Sequence, residues 1–236
     1  MSVTKREICA FCAVLAVFAA ILAVIPSFRS HRAERAVKPY SPTGYILVID
    51  PGHGGVDGGA VSVTGTPESQ INLEIALRLR VLSGFLGIDA VMTREEDVSI
   101  HDKSAGTIRE KKVSDLKNRV KLIGSVENAF LISIHQNTFT ESRYSGAQVF
   151  FSKNPLSRTA AELTQERVRS RLDAENTRRA KSVPDSVFLF SRVSCPAVLV
   201  ECGFLSNPRE AALLETPDYQ KKLALVIAAS YLDASG

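Results

Sequence analysis

The sequence predicts a single α/β domain, three layers deep, with a largely parallel (mixed) sheet covered by helices on both faces and an N-terminal hydrophobic helix ahead of it. Two observations carry the prediction. Short β-branched or apolar runs alternate along the chain with stretches of helical periodicity, the pattern of a parallel sheet wrapped by helices. The chain is also the right size, since 236 residues with 45% hydrophobic side chains can bury one good core.

The elements follow in order. Tyr45–Ile49, Ala90–Thr93, Phe130–Ile134, Ala147–Phe151 and Ala197–Val200 read as strands. Thr66-Pro67 reads as a cap followed by proline at the first helical position, and Ile71, Ile75, Leu79 and Leu82 then share one face. Ser114 reads as the cap of a second helix with Leu116, Val120 and Ile123 inward. Asn154-Pro155 opens a third, running towards Leu172, and Thr216-Pro217 the last, with Tyr219, Leu223, Val226 and Ser230 on one side. Between Lys153 and Lys181 eight Lys/Arg accompany four Asp/Glu, which reads as a solvated helix face and a loop. No internal repeat or low-complexity tract is visible.

A mean hydropathy of +0.05 is high for a soluble domain, and one segment accounts for much of it. Ile8 to Ile25 are eighteen consecutive apolar residues, preceded by Lys5 and Arg6 and closed by Pro26. As a helix they would span about 27 Å, close to the ~30 Å hydrocarbon core of a bilayer. A cleavable signal has a shorter apolar run and a small-x-small site; Pro26-Ser-Phe-Arg29 supplies none. The expected organisation is therefore a signal-anchor over 1–28, a basic linker over 29–43 and a catalytic domain over 44–236. Arg29, Arg32, Arg35 and Lys38 outnumber Lys5 and Arg6, so charge alone leaves the orientation open. The net charge of +4 and the absence of Trp give no footing for nucleic-acid binding. Cys195 and Cys202 flank an extended run that would hold them about 23 Å apart at ~3.3 Å per residue, too far for a disulfide, so both read as packed thiols.

Three predicted strands run straight into a polar residue. Tyr45–Ile49 leads into Asp50-Pro-Gly-His-Gly-Gly55, with His53 in its midst; Phe130–Ile134 ends at His135; Ala197–Val200 ends at Glu201. Ligands of open α/β sheets bind beyond the carboxyl ends of the strands, where these three can converge. Glu68 continues the inward stripe of Ile71 and Ile75, and a carboxylate facing a core needs a partner. Two His and one Glu leave one position of a tetrahedral zinc open, as in catalytic sites. A separate carboxylate must then move the proton, and Glu201 is the candidate. The set suits hydrolysis of an amide bond. The Gly52–Gly59 run lacks the Gly-Lys-Ser/Thr ending of a phosphate loop and the third glycine of a dinucleotide fingerprint, and the chain has no Gly-x-Ser-x-Gly. Its glycines are expected to let the backbone pass close to the metal and substrate. Asp50, Asp57, Arg94 and Asn137 lie near these motifs as candidates for orienting the ligands, contacting substrate or bonding within their own loops.

Asp50-Pro-Gly-His-Gly-Gly-Val-Asp-Gly-Gly-Ala60, Glu68, Ser133-Ile-His-Gln-Asn137 and Val200-Glu-Cys-Gly-Phe-Leu-Ser-Asn207 resemble, in order, the signatures of the zinc-dependent N-acetylmuramoyl-L-alanine amidases, over essentially all of residues 44–236. The resemblance implies one Zn2+ per chain on His53, Glu68 and His135, with Glu201 as catalytic carboxylate. It also implies cleavage between the lactyl group of muramic acid and the L-alanine of the stem peptide. Ser69-Gln70, Gln136-Asn-Thr138 and Cys202 depart from the commonest family residues and are expected to bear on substrate contacts. The hydrophobic N-terminus, Ser145-Gly-Ala-Gln-Val-Phe-Phe151, Glu175-Asn-Thr-Arg-Arg-Ala-Lys181 and the lack of wall-binding repeats are closest to the sporulation amidases of the family. That likeness implies action on spore-cortex peptidoglycan before muramic δ-lactam forms, outside the cytoplasmic membrane and facing the wall or the spore intermembrane space. The implied partners are glycan strands bearing stem peptides, the membrane through the N-terminal segment, and an accessory activator. A metallocarboxypeptidase, or a non-catalytic peptidoglycan-binding protein, are the competing readings.

Overall fold

A computed structural model describes residues 43–236; the expected anchor and most of the linker lie outside the described residues. Strand β1 (Ile46–Pro51) is followed by helix α1 (Glu68–Phe85), β2 (Ala90–Met92), α2 (Ile108–Ser125), β3 (Ala129–Asn137) and β4 (Gln148–Phe151). Then come α3 (Pro155–Arg171), β5 (Lys181–Ser182), β6 (Ala197–Phe204), α4 (Pro208–Leu214) and α5 (Pro217–Ser235). The six strands form one sheet in the order β2-β1-β3-β6-β4-β5. β2, β1, β3 and β6 are mutually parallel, while β4 runs antiparallel to β6 and carries β5 parallel to itself. The expected largely parallel, mixed sheet is therefore present. Among the described residues no helix is long and apolar enough to cross a membrane.

Alternation along the strands divides the core in two. Leu47 and Ile49 of β1, Phe130, Ile132 and Ile134 of β3, and Val198, Val200 and Cys202 of β6 face the larger cluster with α1 and α5. Val48, Ala129, Leu131, Ala197 and Leu199 face the other way, towards Ile123 of α2 and Leu189 and Phe190 of the loop before β6. Ile71, Ile75 and Leu79 of α1 are at most 1% exposed, each burial worth about 1.5–3 kcal/mol. The α2 side matters most for function. With a period of two, the face that holds Val48, Leu131 and Leu199 next presents Asp50, Ser133, His135 and Glu201. Parallel pairing sets Asp50 opposite Ser133 and His135 opposite Glu201.

Two helix starts differ from expectation. α1 begins at Glu68 with Pro67, not Thr66, at the cap, and no side chain caps it. Instead the Glu68 and Ser69 amides donate to the Ala60 and Gly58 carbonyls at 2.8 and 3.0 Å, so the glycine-rich loop satisfies the helix end and is tied to it. α2 starts six residues before Ser114, at a capping box in which Thr107 accepts from the Glu110 amide and Glu110 bonds back. Asn154 and Thr216 cap α3 and α5 as expected. Cys195 and Cys202 are free thiols, half-buried and buried.

Candidate metal centre and catalytic cleft

The loop after β1 is held in an unusual shape by two arginines. His53 has φ +62°, a left-handed conformation that strains a non-glycine residue by about 1 kcal/mol or more. Its carbonyl accepts from Arg94 Nε at 2.7 Å and from an Arg119 Nη at 2.6 Å. Arg94 also donates to the carbonyls of Pro51, Gly52 and Ser69, and Arg119 to that of Pro51. Both guanidinium groups are buried, at 3% and 2% exposure, and they satisfy carbonyls that the turn leaves without ladder partners. The imidazole of His53 is thereby aimed at α1.

Glu68, at the first residue of α1, receives it. Glu68 Oε2 lies 3.3 Å from His53 Nε2, and Oε1 lies 2.9 Å from His135 Nδ1. The ligand atoms of His53, Glu68 and His135 all fall within 4.8 Å of one another, and the two imidazole centroids are 5.0 Å apart. The Ala60 and Gln136 amides donate to the same carboxylate at 3.0 and 3.1 Å, and Asn72, one helical turn along α1, donates to it and to the Gly52 carbonyl. Close approach is possible only because two neighbours lack side chains. A Cβ on Gly52 would sit 2.1 Å from the His135 ring, and one on Gly59 2.5 Å from Glu68 Oε2. At these two positions glycine lets the backbone pass close to His135 and Glu68.

Charge follows from this packing. Burial would raise the Glu68 carboxyl, but the bonds and charges of His135 and His53 hold it far below the usual carboxylate range. Burial disfavours charge on His53, yet Glu68 and Asp57 more than offset it and push the imidazole up to about 9. Asp57 Oδ2 stands 3.0 Å from His53 Nδ1, although out of line for a good hydrogen bond, and Asp57 Oδ1 pairs with Lys112 Nζ at 2.8 Å. Two imidazoles therefore crowd an ionised carboxylate, and His53 holds a proton against it. A cation that took the place of that proton would meet imidazole and carboxylate donors, the set a divalent metal of zinc type prefers. The residues fit a metal.

Glu201 lies beside the cluster, paired with His135 in the β-ladder. Its Oε2 is buried without a hydrogen-bond partner among the described residues. Burial pushes its carboxyl up; the positive influence of His135 opposes this and the charge of Glu68 adds to it, leaving it raised. Glu201, His53 and His135 open on a cleft of about 380 Å³ with Lys112 on one side and Val187 to Phe190 on the other.

The remaining expected residues take structural places. Asp50 is 1% exposed and accepts from Thr93, Ser133 and Arg119. Arg94 is committed to backbone carbonyls. Asn137 ends β3, its carbonyl accepting from the Leu205 amide. Asp57, half-buried, is the one of the four whose side chain contacts the imidazole of a cluster histidine. Of the family departures, Ser69, Gln136 and Cys202 are at most 4% exposed, whereas Gln70 and Thr138 are exposed and Asn137 half-buried. Arg119, Asn72 and Lys112 escaped sequence reasoning. Asn72 carried a legible signal, since it sits one turn from Glu68 on the buried stripe.

Fold and cluster together define a class: a single-domain α/β protein that collects two histidines and a buried glutamate at the carboxyl ends of parallel strands, with a further carboxylate free in the adjoining cleft. Residues 47–231 match the family described as N-acetylmuramoyl-L-alanine amidase. The germination-specific N-acetylmuramoyl-L-alanine amidase of Bacillus subtilis is 40% identical over 190 residues, covering 79% of either chain. AmiA of Escherichia coli is 29% identical over 78% of this chain and 73% of its own. Among solved structures, the CwlD amidase from Clostridioides difficile, in complex with the GerS lipoprotein, superposes with a TM-score of 0.76 at 37% identity. That match covers 80% of this chain and 98% of the other. The AmiC2 amidase of Nostoc punctiforme gives 0.68 at 26%, over 80% and 96%. The chain belongs to the N-acetylmuramoyl-L-alanine amidase family, amide-bond hydrolases of peptidoglycan.

Proposed function

We propose that the chain is a zinc-dependent amidase that removes stem peptides from spore-cortex peptidoglycan at the muramoyl–L-alanine bond, ahead of muramic δ-lactam formation. The observation that carries the reading is the convergence of His53, Glu68 and His135 within 4.8 Å beside a Glu201 carboxylate oxygen that is buried and unpartnered. The likeness to a germination-specific amidase supports the cortex assignment.

In this reading His53, Glu68 and His135 hold one zinc ion, which supplies Lewis acidity to polarise the scissile carbonyl and acidify water. Asp57, steadied by Lys112, turns His53 so that Nε2 faces the cluster. Arg94 and Arg119 fix the His53 backbone, so the ring is set before substrate arrives. Glu201 takes the proton of the attacking water and returns it to the departing L-alanine amine; its raised pKa brings it nearer the neutral range in which both transfers are efficient.

Residues 1–28 anchor the 44–236 domain to the outer side of the cytoplasmic membrane, where the substrate lies. An accessory lipoprotein of the kind seen with the C. difficile relative is the partner proposed for activation.

Incubating the full-length chain and zinc with cortex peptidoglycan, followed by mass spectrometry, tests the reading. Free stem peptide is expected, together with about one zinc per chain that is lost in His53→Ala and His135→Ala. Release of terminal amino acids would indicate a carboxypeptidase, and intact muropeptides with a zinc-loaded protein would indicate a binding module.

A further inference from the structure

After β3 the chain crosses the carboxyl end of the sheet in a loop, residues 138–146, that carries a strip of aromatic and cationic groups. Phe139 is 51% exposed, and its ring lies 4.7 Å from Tyr144 in an edge-on arrangement. Tyr144 stacks over Phe204 at 6.4 Å and 29°. Guanidinium groups cover the same rings, Arg143 at 5.4 Å from Tyr144 and Arg178 at 4.8 Å from Phe204. Beside them opens a polar pocket of about 320 Å³ to which Arg143, Tyr144, Arg178, Arg209 and Asp173 contribute.

The strip is held in place. The Phe139 amide donates to Ser206 Oγ at 3.1 Å, Asn207 Nδ2 donates to the Ser142 carbonyl at 2.9 Å, and the Gly146 amide donates to Glu210 at 2.8 Å. Its position relative to the cluster follows from the strands. Phe139 lies four residues beyond His135, and Phe204 three beyond Glu201; at ~3.3 Å per residue these are separations of at most about 13 and 10 Å.

We propose that the 138–146 strip and its pocket form a sugar-binding subsite that seats a pyranose ring of the peptidoglycan glycan strand, next to the muramic residue whose amide is cut. The inference rests on the amidase reading. A pyranose presents an apolar C–H face that packs on an aromatic ring and a hydroxyl rim that needs planar polar partners. Exposed Phe139, braced edge-on by half-buried Tyr144, provides the first, and Arg143, Arg209 and Asp173 the second. Because the scissile amide hangs from muramic acid by a short lactyl link, the strand has to pass within a ring or two of Glu201. Chain separation keeps Phe139 and Phe204 within that reach of His135 and Glu201, on loops separate from the α2 cleft.

The test uses the full-length chain in mild detergent, with Phe139→Ala, Arg143→Ala and the conservative Phe139→Tyr. Affinity for peptide-free glycan strands is measured alongside kcat/KM on strands and on a single-sugar muramyl peptide. We expect both alanine variants to bind strands about tenfold more weakly, the factor equivalent to 1.4 kcal/mol. They should also lose much of the preference for strands over the single-sugar substrate, and Phe139→Tyr should restore both. Parent-like strand binding in the alanine variants would overturn the proposal. So would unchanged strand binding with loss of association to a partner lipoprotein, which would make the strip a protein interface. If the parent binds strands through Phe139 yet releases no stem peptide from any substrate, the hydrolase reading fails and the sugar subsite stands.

Discussion

Arg119 Nη1 lies 2.6 Å from Asp50 Oδ1, and both side chains are 2% exposed. This buried pair joins α2 to the end of β1, and the same guanidinium reaches Asp115 at 2.7 Å as well as the Pro51 and His53 carbonyls. The strained turn that aims His53 is thus locked from the α2 side. Removing one partner of such a pair leaves an uncompensated buried charge, worth about 3–5 kcal/mol. Asp50→Asn and Arg119→Met should each lower unfolding free energy by roughly that amount, read from urea midpoints at constant m. A loss below about 1 kcal/mol for either would show the pair to be dispensable.

The same pair gives stability a direction with pH. Burial alone would raise Asp50, but Arg119, Ser133 and Thr93 outweigh it and hold its carboxyl below its ordinary value. A carboxylate depressed in the folded state contributes stability that is complete above its unfolded pKa of about 3.9 and lost as pH falls through the folded value. Acid titration of stability should therefore steepen below about pH 4 in the parent, and the steep limb should flatten in Asp50→Asn. Superimposable acid limbs would assign the transition to other groups.

Gly52→Ala tests the tight passage beneath His135. The added methyl would stand 2.1 Å from the imidazole, and the ring has to move. Overpacking of this kind destabilises by about 1–3 kcal/mol; because the displaced group is a proposed donor, metal affinity should fall with it. Thermal melts with and without zinc separate the two effects. A variant that melts and binds zinc like the parent would mean the loop shifts freely.

Much of this site is legible in the sequence because strand periodicity carries it. Counting in twos from Val48, Leu131 and Leu199 reaches Asp50, Ser133, His135 and Glu201 on one face, and the ends of parallel strands are where ligands gather. What stayed hidden has specific causes. Arg119 reads as an ordinary surface arginine on a polar helix, and its partner lies 69 positions away, a distance no local pattern spans. Thr107-Ile-Arg-Glu110 is a capping-box sequence, but no apolar run follows it, so the apolar pattern marks α2 only from Ser114 onward. α4 went unread although Asn207-Pro208 repeats the Asn154-Pro155 signal that opens α3. The reversed direction of β4 and β5 has no local signature, since short apolar runs look alike either way.

Metal uptake should compete with protons at His53. In the absence of metal the imidazole holds its proton up to about 9, and only the neutral ring can donate to zinc. The sign follows: below that value a proton has to leave, so the apparent zinc affinity should rise with pH, by about tenfold per pH unit for each proton displaced, and level off above 9. Competition with a chromophoric chelator between pH 6 and pH 9.5 measures the slope. His53→Ala should weaken binding and flatten the dependence. A pH-independent affinity in the parent would remove His53 from the ligand set.

Glu201 separates metal binding from turnover. Its carboxylate shares no hydrogen bond with the cluster, and its Oε2 is left without a partner among the described residues. Glu201→Gln should therefore fold as the parent does and keep about one zinc per chain, because the amide preserves shape and the three proposed donors are untouched. It cannot accept a proton from water or hand one to the leaving amine. Loss of a general acid–base group typically lowers the rate by about 10²–10⁴-fold, and the loss should fall mainly on kcat, since the role proposed for Glu201 is on the reacting water and not on the glycan strand. Zinc content by elemental analysis, beside stem-peptide release by mass spectrometry, reads both quantities on one preparation. Turnover within a few-fold of the parent would mean that another group moves the proton. Loss of zinc would place Glu201 among the residues that hold the metal.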